Sequence, residues 1–310
     1  MASYLVTGVA GFLGAALSQK LLQQGHGVVG IDNLSTGYLE SVPQGCDFYQ
    51  GDCQDASLYD RLPAIAYDAI YHIAGQSSAE VSFEDPVYDL QTNTQSTLLL
   101  LQFAIKTGCQ RFLFASSMSV YGDAGDRPML ETDFCVPKSF YAVGKLASEQ
   151  YLSIYESKGV HCTSLRICNL YGPGQNMNNL KQGMVSIYLS HAINNKKILV
   201  KGSADRFRDF LYIDDIVETF LHCEKNANTY GRIINAGTGV KTTIATLLEK
   251  MQAQLPFSVA VEFAGNTPGD QFGVYGNTAA MAALINYQPE HNLDEGLKQM
   301  IAWAIPNALS

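Results

Sequence analysis

Thr7-Gly8-Val9-Ala10-Gly11-Phe12-Leu13-Gly14 decides how this chain is read. It follows the apolar run Tyr4-Leu5-Val6 and precedes a helical stretch from Ala15 to Gln24. A strand that turns on glycines into a helix makes a phosphate site, because the helix start offers unpaired N–H groups and the positive end of its dipole. Gly8 permits the tight turn, Gly11 lets backbone approach a pyrophosphate, and Gly14 lets the helix lie close to the strand. With Phe12 and Leu13 between them, these residues are candidate cofactor contacts. A glycine triplet alone is common. Here the next strand-like run, Val28 to Ile31, ends at Asp32, whose carboxylate is placed to accept from the hydroxyls of an adenosine ribose. A carboxylate there repels a 2′-phosphate, and no Arg or Lys lies between Gly30 and Glu40, so the expected cofactor is NAD rather than NADP. Asp52, after the strand-like Asp47-Phe48-Tyr49, reads either as a contact to the adenine edge or as a loop-capping aspartate.

Outward from this loop, short β-rich runs alternate with helical stretches. Ala69 to His72, Arg111 to Ala115 and Cys162 to Ile167 read as strands; Val87 to Thr107 and Tyr141 to Ser157 read as helices. That alternation predicts an α/β fold: a Rossmann-type, doubly wound parallel sheet with a smaller C-terminal substrate-binding domain. Later helices are expected at Leu180 to Asn194 and Thr243 to Gln254, with strands near Phe210 and Ile233 returning to the sheet. The division expected is an NAD-binding domain over residues 1–167 with a return segment at about 208–238, and a nucleotide-sugar-binding domain over 168–207 and 239–310.

Tyr141-Ala142-Val143-Gly144-Lys145 puts a phenol and an ammonium four residues apart on one helical face, and the strand from Arg111 ends at Ser116-Ser117. In a parallel sheet such strand ends bind ligands. A free tyrosine titrates near pH 10 and is a poor base at neutrality. A neighbouring ammonium and a cationic nicotinamide favour its phenolate; reaching neutrality takes roughly 4 kcal/mol of differential interaction. Ser117 is placed to hydrogen-bond the same substrate oxygen. By itself the Tyr-Lys spacing is most often an ordinary helix pair. With Ser117, the glycine loop and Asp32 on one chain, it reads as a catalytic trio.

Composition narrows the partners. Apolar residues make up 47% of the 310 and charged residues 16%, enough for a large core. The net charge of −9 excludes the basic surface that nucleic acid rewards. The longest apolar stretch, Thr97 to Ile105, is too short for a membrane span, and the start of the chain carries no export pattern, which points to the cytoplasm. Seven cysteines without a C-x-x-C pair read as reduced thiols, with no metal expected. His26, His161, His191, His222 and His291 are scattered and suggest no site.

In combination these motifs resemble the extended short-chain dehydrogenase/reductase family, and within it nucleotide-sugar epimerases of the UDP-galactose 4-epimerase type. The likeness runs from Thr7 to about Trp303. It implies NAD contacts at Asp32, Asn33, Ser35 and Thr36, at Asp52 and Cys53, along Ile73-Ala74-Gly75, and at Asn93. It implies catalysis by Ser117, Tyr141 and Lys145, which matches the trio read above. It implies that Asn169 and Arg208 hold a substrate diphosphate, that Asp270 of Pro268-Gly269-Asp270 holds the nucleotide ribose, and that Val274 sets the room around the sugar's C2 substituent. The family's pairing of the helices at Val87 to Thr107 and Tyr141 to Ser157 implies a homodimer.

Departures choose the reaction. Dehydratases of the family carry an Asp-Glu pair after the catalytic hydroxyl residue; here Met118-Ser119 supplies no acid or base, so 4,6-dehydration is excluded. Thr267 stands where an arginine often holds uridine diphosphate, which leaves dTDP open beside UDP, and Ser77 replaces a lysine aimed at the cofactor. The expected activity is an NAD-dependent nucleotide-sugar 4-epimerase acting on a UDP- or dTDP-hexose through a transient 4-keto sugar. A nucleotide-4-keto-sugar reductase or nucleotide-sugar dehydrogenase uses the same trio and is the first alternative. A non-catalytic NAD-binding regulator is the second, disfavoured because the whole trio is present.

Overall fold

The computed structural model describes residues 1–123, 125–266, 269 and 271–308. Seven strands form its central sheet: β1 (Ser3–Thr7), β2 (Gly27–Asp32), β3 (Asp47–Gln50), β4 (Ala69–His72), β5 (Arg111–Ser117), β6 (His161–Ile167) and β7 (Arg232–Ala236). They lie in the order β7-β6-β5-β4-β1-β2-β3, every neighbouring pair parallel. The order reverses between β1 and β4. The crevice past Thr7 and His72 is therefore the place where an open α/β sheet takes ligands.

β1 shows why the sheet is covered on both sides. Tyr4 and Val6 join Leu13, Leu17, Leu21 and Phe220 in one apolar cluster, while Leu5 between them joins Leu100, Leu101 and Ala104 in another. A strand apolar on both faces needs a helical layer on each. Helices Phe12–Gln23 and Ile213–Glu224 lie on one face, tied by Lys20 to Glu218 at 2.6 Å. Helices Ser96–Thr107 and Phe140–Glu156 contact each other on the opposite face. The first cluster also runs through Tyr171, Leu189 and Ile198 to Leu247 and Met300, so the two portions expected from the sequence share one core.

Three expectations need correction. The strand near Ile233 does join the sheet, but Phe210–Tyr212 pairs only with Asn169–Tyr171 in a separate ribbon. β7 already holds the open edge of β6, so the shorter segment pairs with the residues that continue beyond β6. The helix expected from Val87 to Thr107 changes its winding: Pro86–Leu90 is α-helical, Gln91–Gln95 forms a π turn, and Ser96–Thr107 resumes the α-helix. Hydroxyls there compete with the backbone ladder. Thr92 donates to Asp89 O at 3.2 Å, Ser96 to Thr92 O at 2.6 Å and Thr97 to Asn93 O at 2.6 Å. The helix expected from Leu180 begins only at Met184, after Gly183 takes the left-handed φ of 86° that interrupts helical winding.

Candidate active site

A cavity of about 980 Å³ opens at the reversal point of the sheet. It is lined by the glycine loop, Asp32, the 33–36 loop, Asp52, Cys53 and Ile73-Ala74-Gly75 at one end. Ser117, Tyr141 and Lys145 line its middle, with Asn169, Arg208 and Val274 beyond. Asn93 is the exception: it is fully buried behind Gly75 and does not line the cavity. Its amide donates to Gln76 O at 2.9 Å and to Asp89 Oδ1 at 3.2 Å, because the π turn points it into the protein. Asp270, with Thr267 and Pro268, lies outside the described residues.

At the first end the glycines divide their work. Gly8 has φ 76°, and a Cβ on Gly14 would stand 2.0 Å from Gly8 O, so both are demanded by the fold. Gly11 is different. A Cβ there would meet only Gly8 O, at 3.3 Å, yet the residue lines the cavity. A side chain at Gly11 would be tight against that one oxygen and would otherwise project into the cavity. Gly11 also starts its helix with no side-chain cap, which leaves the first-turn N–H groups for an anion. Asp32 accepts from Ala10 N at 3.0 Å and Leu34 N at 2.8 Å, one bond per oxygen. Each oxygen keeps a lone pair, enough for a ribose diol. Leu34 sits at φ 60°, strain that the Asp32 bond holds in place while Asn33 and Ser35 face the cavity. Asp52 shows the loop-fixing role, and its place in the cavity wall leaves the adenine contact open to it. It lines the cavity, and it fixes its own loop by accepting from Asn33 Nδ2 at 2.8 Å and Gln54 N at 3.1 Å.

Beneath the loop lies His72, fully buried and unassigned by sequence reasoning. Thr7 Oγ1 accepts from Ile73 N and Ala74 N, both at 3.1 Å, so its own proton goes to His72 Nδ1 at 2.9 Å. His72 Nε2 then carries the ring proton toward Thr97 Oγ1 at 3.0 Å. Burial, and then the charge of Lys145, push His72 down to about 3. Because the unfolded imidazole binds a proton near pH 6.5, this stability is complete above that value and is lost as pH falls toward 3. Between pH 7.5 and 5.0 the wild type is expected to lose about 2 kcal/mol more than His72→Asn, read from urea unfolding. Parallel losses in the two proteins would show His72 not to be held neutral.

The middle of the cavity is set by one helix. Ser139 caps it, accepting from Ala142 N at 3.2 Å, and its buried stripe reads Ala142, Lys145, Ser148, Glu149, Leu152, Tyr155. Ser117 Oγ accepts from Ser119 N at 3.2 Å, and Ser117 lines the cavity beside Tyr141, where it works to lower the titration range of the phenol. Lys145 Nζ lies 4.8 Å from the Phe114 ring centroid and 5.8 Å from that of Tyr141. Burial raises Tyr141 to about 12, against the lowering effect of Ser117, and burial lowers Lys145 to about 8. The sequence expectation coupled Lys145 with a cationic nicotinamide; with the protein's own groups alone, desolvation of the phenolate holds the phenol above its ordinary range. A further positive charge at the phenol is required, and an oxidised nicotinamide carries one.

Beyond the trio, Arg208 donates to Phe207 O at 2.7 Å and to Gln271 O at 2.7 Å, which fixes its guanidinium at the cavity wall. Sequence reasoning missed several residues here. Asn176 ties the far wall to the cofactor loop, donating to Thr36 O at 3.0 Å and accepting from Tyr38 at 3.2 Å. Two ion pairs cross the mouth, Lys181 to Glu84 at 2.7 Å and Lys201 to Glu80 at 3.5 Å. The only signal for Asn176 was its place directly after Gly172-Pro173-Gly174-Gln175; the ion pairs left none.

The NAD dependent epimerase/dehydratase family model matches residues 4–237. This chain belongs to that family. A UDP-glucose 4-epimerase of Mycolicibacterium smegmatis is 32% identical over 305 residues, 96% of this chain and 96% of that protein. The structure of a Thermotoga maritima UDP-glucose 4-epimerase with UDP-glucose matches 99% of this chain and 100% of its own, with TM-score 0.91 and 29% identity. A Thermus thermophilus UDP-glucose 4-epimerase in complex with NAD matches 97% and 98%, with TM-score 0.90 and 30% identity. As a member of the epimerase/dehydratase family the protein is an NAD-dependent enzyme, and the uncapped helix start, the room at Gly11 and the free lone pairs of Asp32 fit that cofactor.

Proposed function

We propose that the protein is a nucleotide-sugar 4-epimerase whose substrate is a UDP- or dTDP-hexose. The observation that carries this reading is that Ser117, Tyr141 and Lys145 line one cavity together with the dinucleotide loop, Asn169 and Arg208. Tyr141 takes the proton of the sugar 4-hydroxyl, Ser117 steadies the same oxygen, and Lys145 supplies positive charge beside the phenol. Bound NAD supplies the acceptor and later the donor of the C4 hydride. Asn169 and Arg208 hold the diphosphate while the planar 4-keto sugar turns over. Met118, which is buried, and Ser119, which lines the cavity beside Ser117, offer no acid or base for loss of water. Purified protein is expected to interconvert UDP-glucose and UDP-galactose, their N-acetyl forms or a dTDP-hexose with no added reductant. Failure across that panel, or stoichiometric consumption of NADH, removes the reading.

Among the described residues no helix is long and apolar enough to cross a membrane. A cytoplasmic homodimer fits the surface. Val87 and Leu90 on the helix Pro86–Leu90, and Val143 and Ile154 on the helix Phe140–Glu156 that it contacts, are each more than half exposed, apolar surface that pairing would cover. Sedimentation is expected to show a dimer at micromolar concentration, and a monomer for Val143→Glu. A wild-type monomer rules the pairing out.

A further inference from the structure

Asp89 is a buried carboxylate that the proposed reaction does not use. It is 1% exposed, and its Oδ1 accepts from Gln76 Nε2 at 2.7 Å and from Asn93 Nδ2 at 3.2 Å. Its Oδ2 is shielded from water and has no hydrogen-bond partner. That oxygen faces Gly144, where a Cβ would stand 3.5 Å from it, and Gly144 is the residue before Lys145. The Asn93 Oδ1 atom is likewise buried and unpartnered. A Cβ on Gly75 would lie 2.5 Å from that oxygen and 3.4 Å from Lys145 Nζ, so the amide oxygen and the ammonium share one small space. Two buried acceptors without partners are costly, and both lie against the helix turn that carries the buried Lys145 ammonium.

We propose that Asp89 is a positioning residue that keeps Lys145 charged and holds it, with Asn93, against the floor of the active site at Gly75. The inference rests on the catalytic role given to Lys145 above. Burial alone depresses that ammonium; Asp89 is the largest opposing influence and Glu149 the next. The other titratable groups facing Lys145 do not replace Asp89. Glu149, on the same helix, is committed to Arg166 and Ser116, His72 on β4 is neutral, and Tyr141 is protonated. The π turn at Gln91–Gln95 begins two residues after Asp89 and carries Asn93, so the local winding sets both acceptors at once. Gly144 lets the catalytic helix approach them: a Cβ there would crowd Thr94 Oγ1 at 3.3 Å and Asn93 Cβ at 3.4 Å.

The test follows Lys145 itself. NAD-loaded protein with ¹³C-labelled lysine side chains, the Lys145 signal assigned through Lys145→Arg, is titrated as wild type, Asp89→Asn and Asp89→Glu. In Asp89→Asn the Lys145 midpoint is expected to fall by about one pH unit or more, with Asp89→Glu recovering most of it. The alkaline limb of kcat for sugar interconversion is expected to move by the same amount, with KM little changed. An unmoved Lys145 midpoint in a folded Asp89→Asn overturns the proposal. Should that variant fail to fold, the wild-type titration still decides: Lys145 already neutral at pH 7 overturns it, and Lys145 charged there supports it. Wild-type protein without epimerase activity counts against the function and leaves the titration standing.

Discussion

Tyr141→Phe is expected to lower kcat by about 10²- to 10⁴-fold while leaving fold and substrate affinity nearly intact. The ring remains to fill its place between Ser117 and Lys145, and only the hydroxyl that exchanges a proton with the sugar is lost. The interaction removed exists in the transition state and hardly in the ground state, so kcat and kcat/KM fall together. The pH profile of the wild type sharpens the prediction. The phenolate fraction grows as pH rises, because Tyr141 starts from about 12. The ammonium beside it is lost as pH passes about 8. Activity is therefore expected to climb from acid pH and then fall on the alkaline side. Steady-state kinetics and calorimetric binding of the nucleotide sugar check both parts. A Tyr141→Phe enzyme that keeps more than about a tenth of wild-type kcat would show the phenol not to be the base.

The Tyr141–Lys145 pair was legible in the sequence because it is local, and Ser117 because it ends a strand of the parallel sheet. A phenol and an ammonium four residues apart share a helix face whatever the rest of the chain does. The glycine loop and Asp32 were legible for the same reason, since strand, turn and helix follow one another directly. What could not be read depends on register. Asp89 and Lys145 come from different elements; the close approach at Gly144 sets Asp89 against the catalytic helix, and that at Gly75 brings Asn93 toward Lys145. The π turn was hidden because Thr92, Ser96 and Thr97 look like ordinary helix residues until their hydroxyls choose backbone partners. The ribbon at Phe210–Tyr212 was misplaced because three apolar residues read the same whether they join a seven-stranded sheet or one neighbour. The burial that raises Tyr141 was hidden because a sequence shows charges but not the desolvation that opposes them.

Glu149→Leu is expected to cost about 3–5 kcal/mol of stability, because it strands a buried cation. Arg166 and Glu149 side chains are 4% and 0% exposed and meet in a fork, Nε to Oε1 at 3.0 Å and Nη2 to Oε2 at 2.7 Å. Ser116 donates to the same Oε1 at 2.5 Å, and the guanidinium lies 4.6 Å over the Tyr121 ring. Tyr121 in turn donates to Asn235 on β7 at 2.7 Å. The network thus joins the catalytic helix to β5, β6 and β7 at the level of Ser117, since Ser116 stands opposite Arg166 in the sheet. Desolvating both ions offsets most of their attraction, so the pair adds little net stability; breaking it leaves the full penalty of one charge. Two measurements separate these statements. Urea unfolding of Glu149→Leu should show the large loss, and Glu149→Leu with Arg166→Met should recover most of it. A single variant within about 1 kcal/mol of wild type would mean that water reaches Arg166. If the double variant is stable yet slow, the pair serves chiefly to hold Tyr141 and Ser117 in register, which is the role its position on the catalytic helix assigns it.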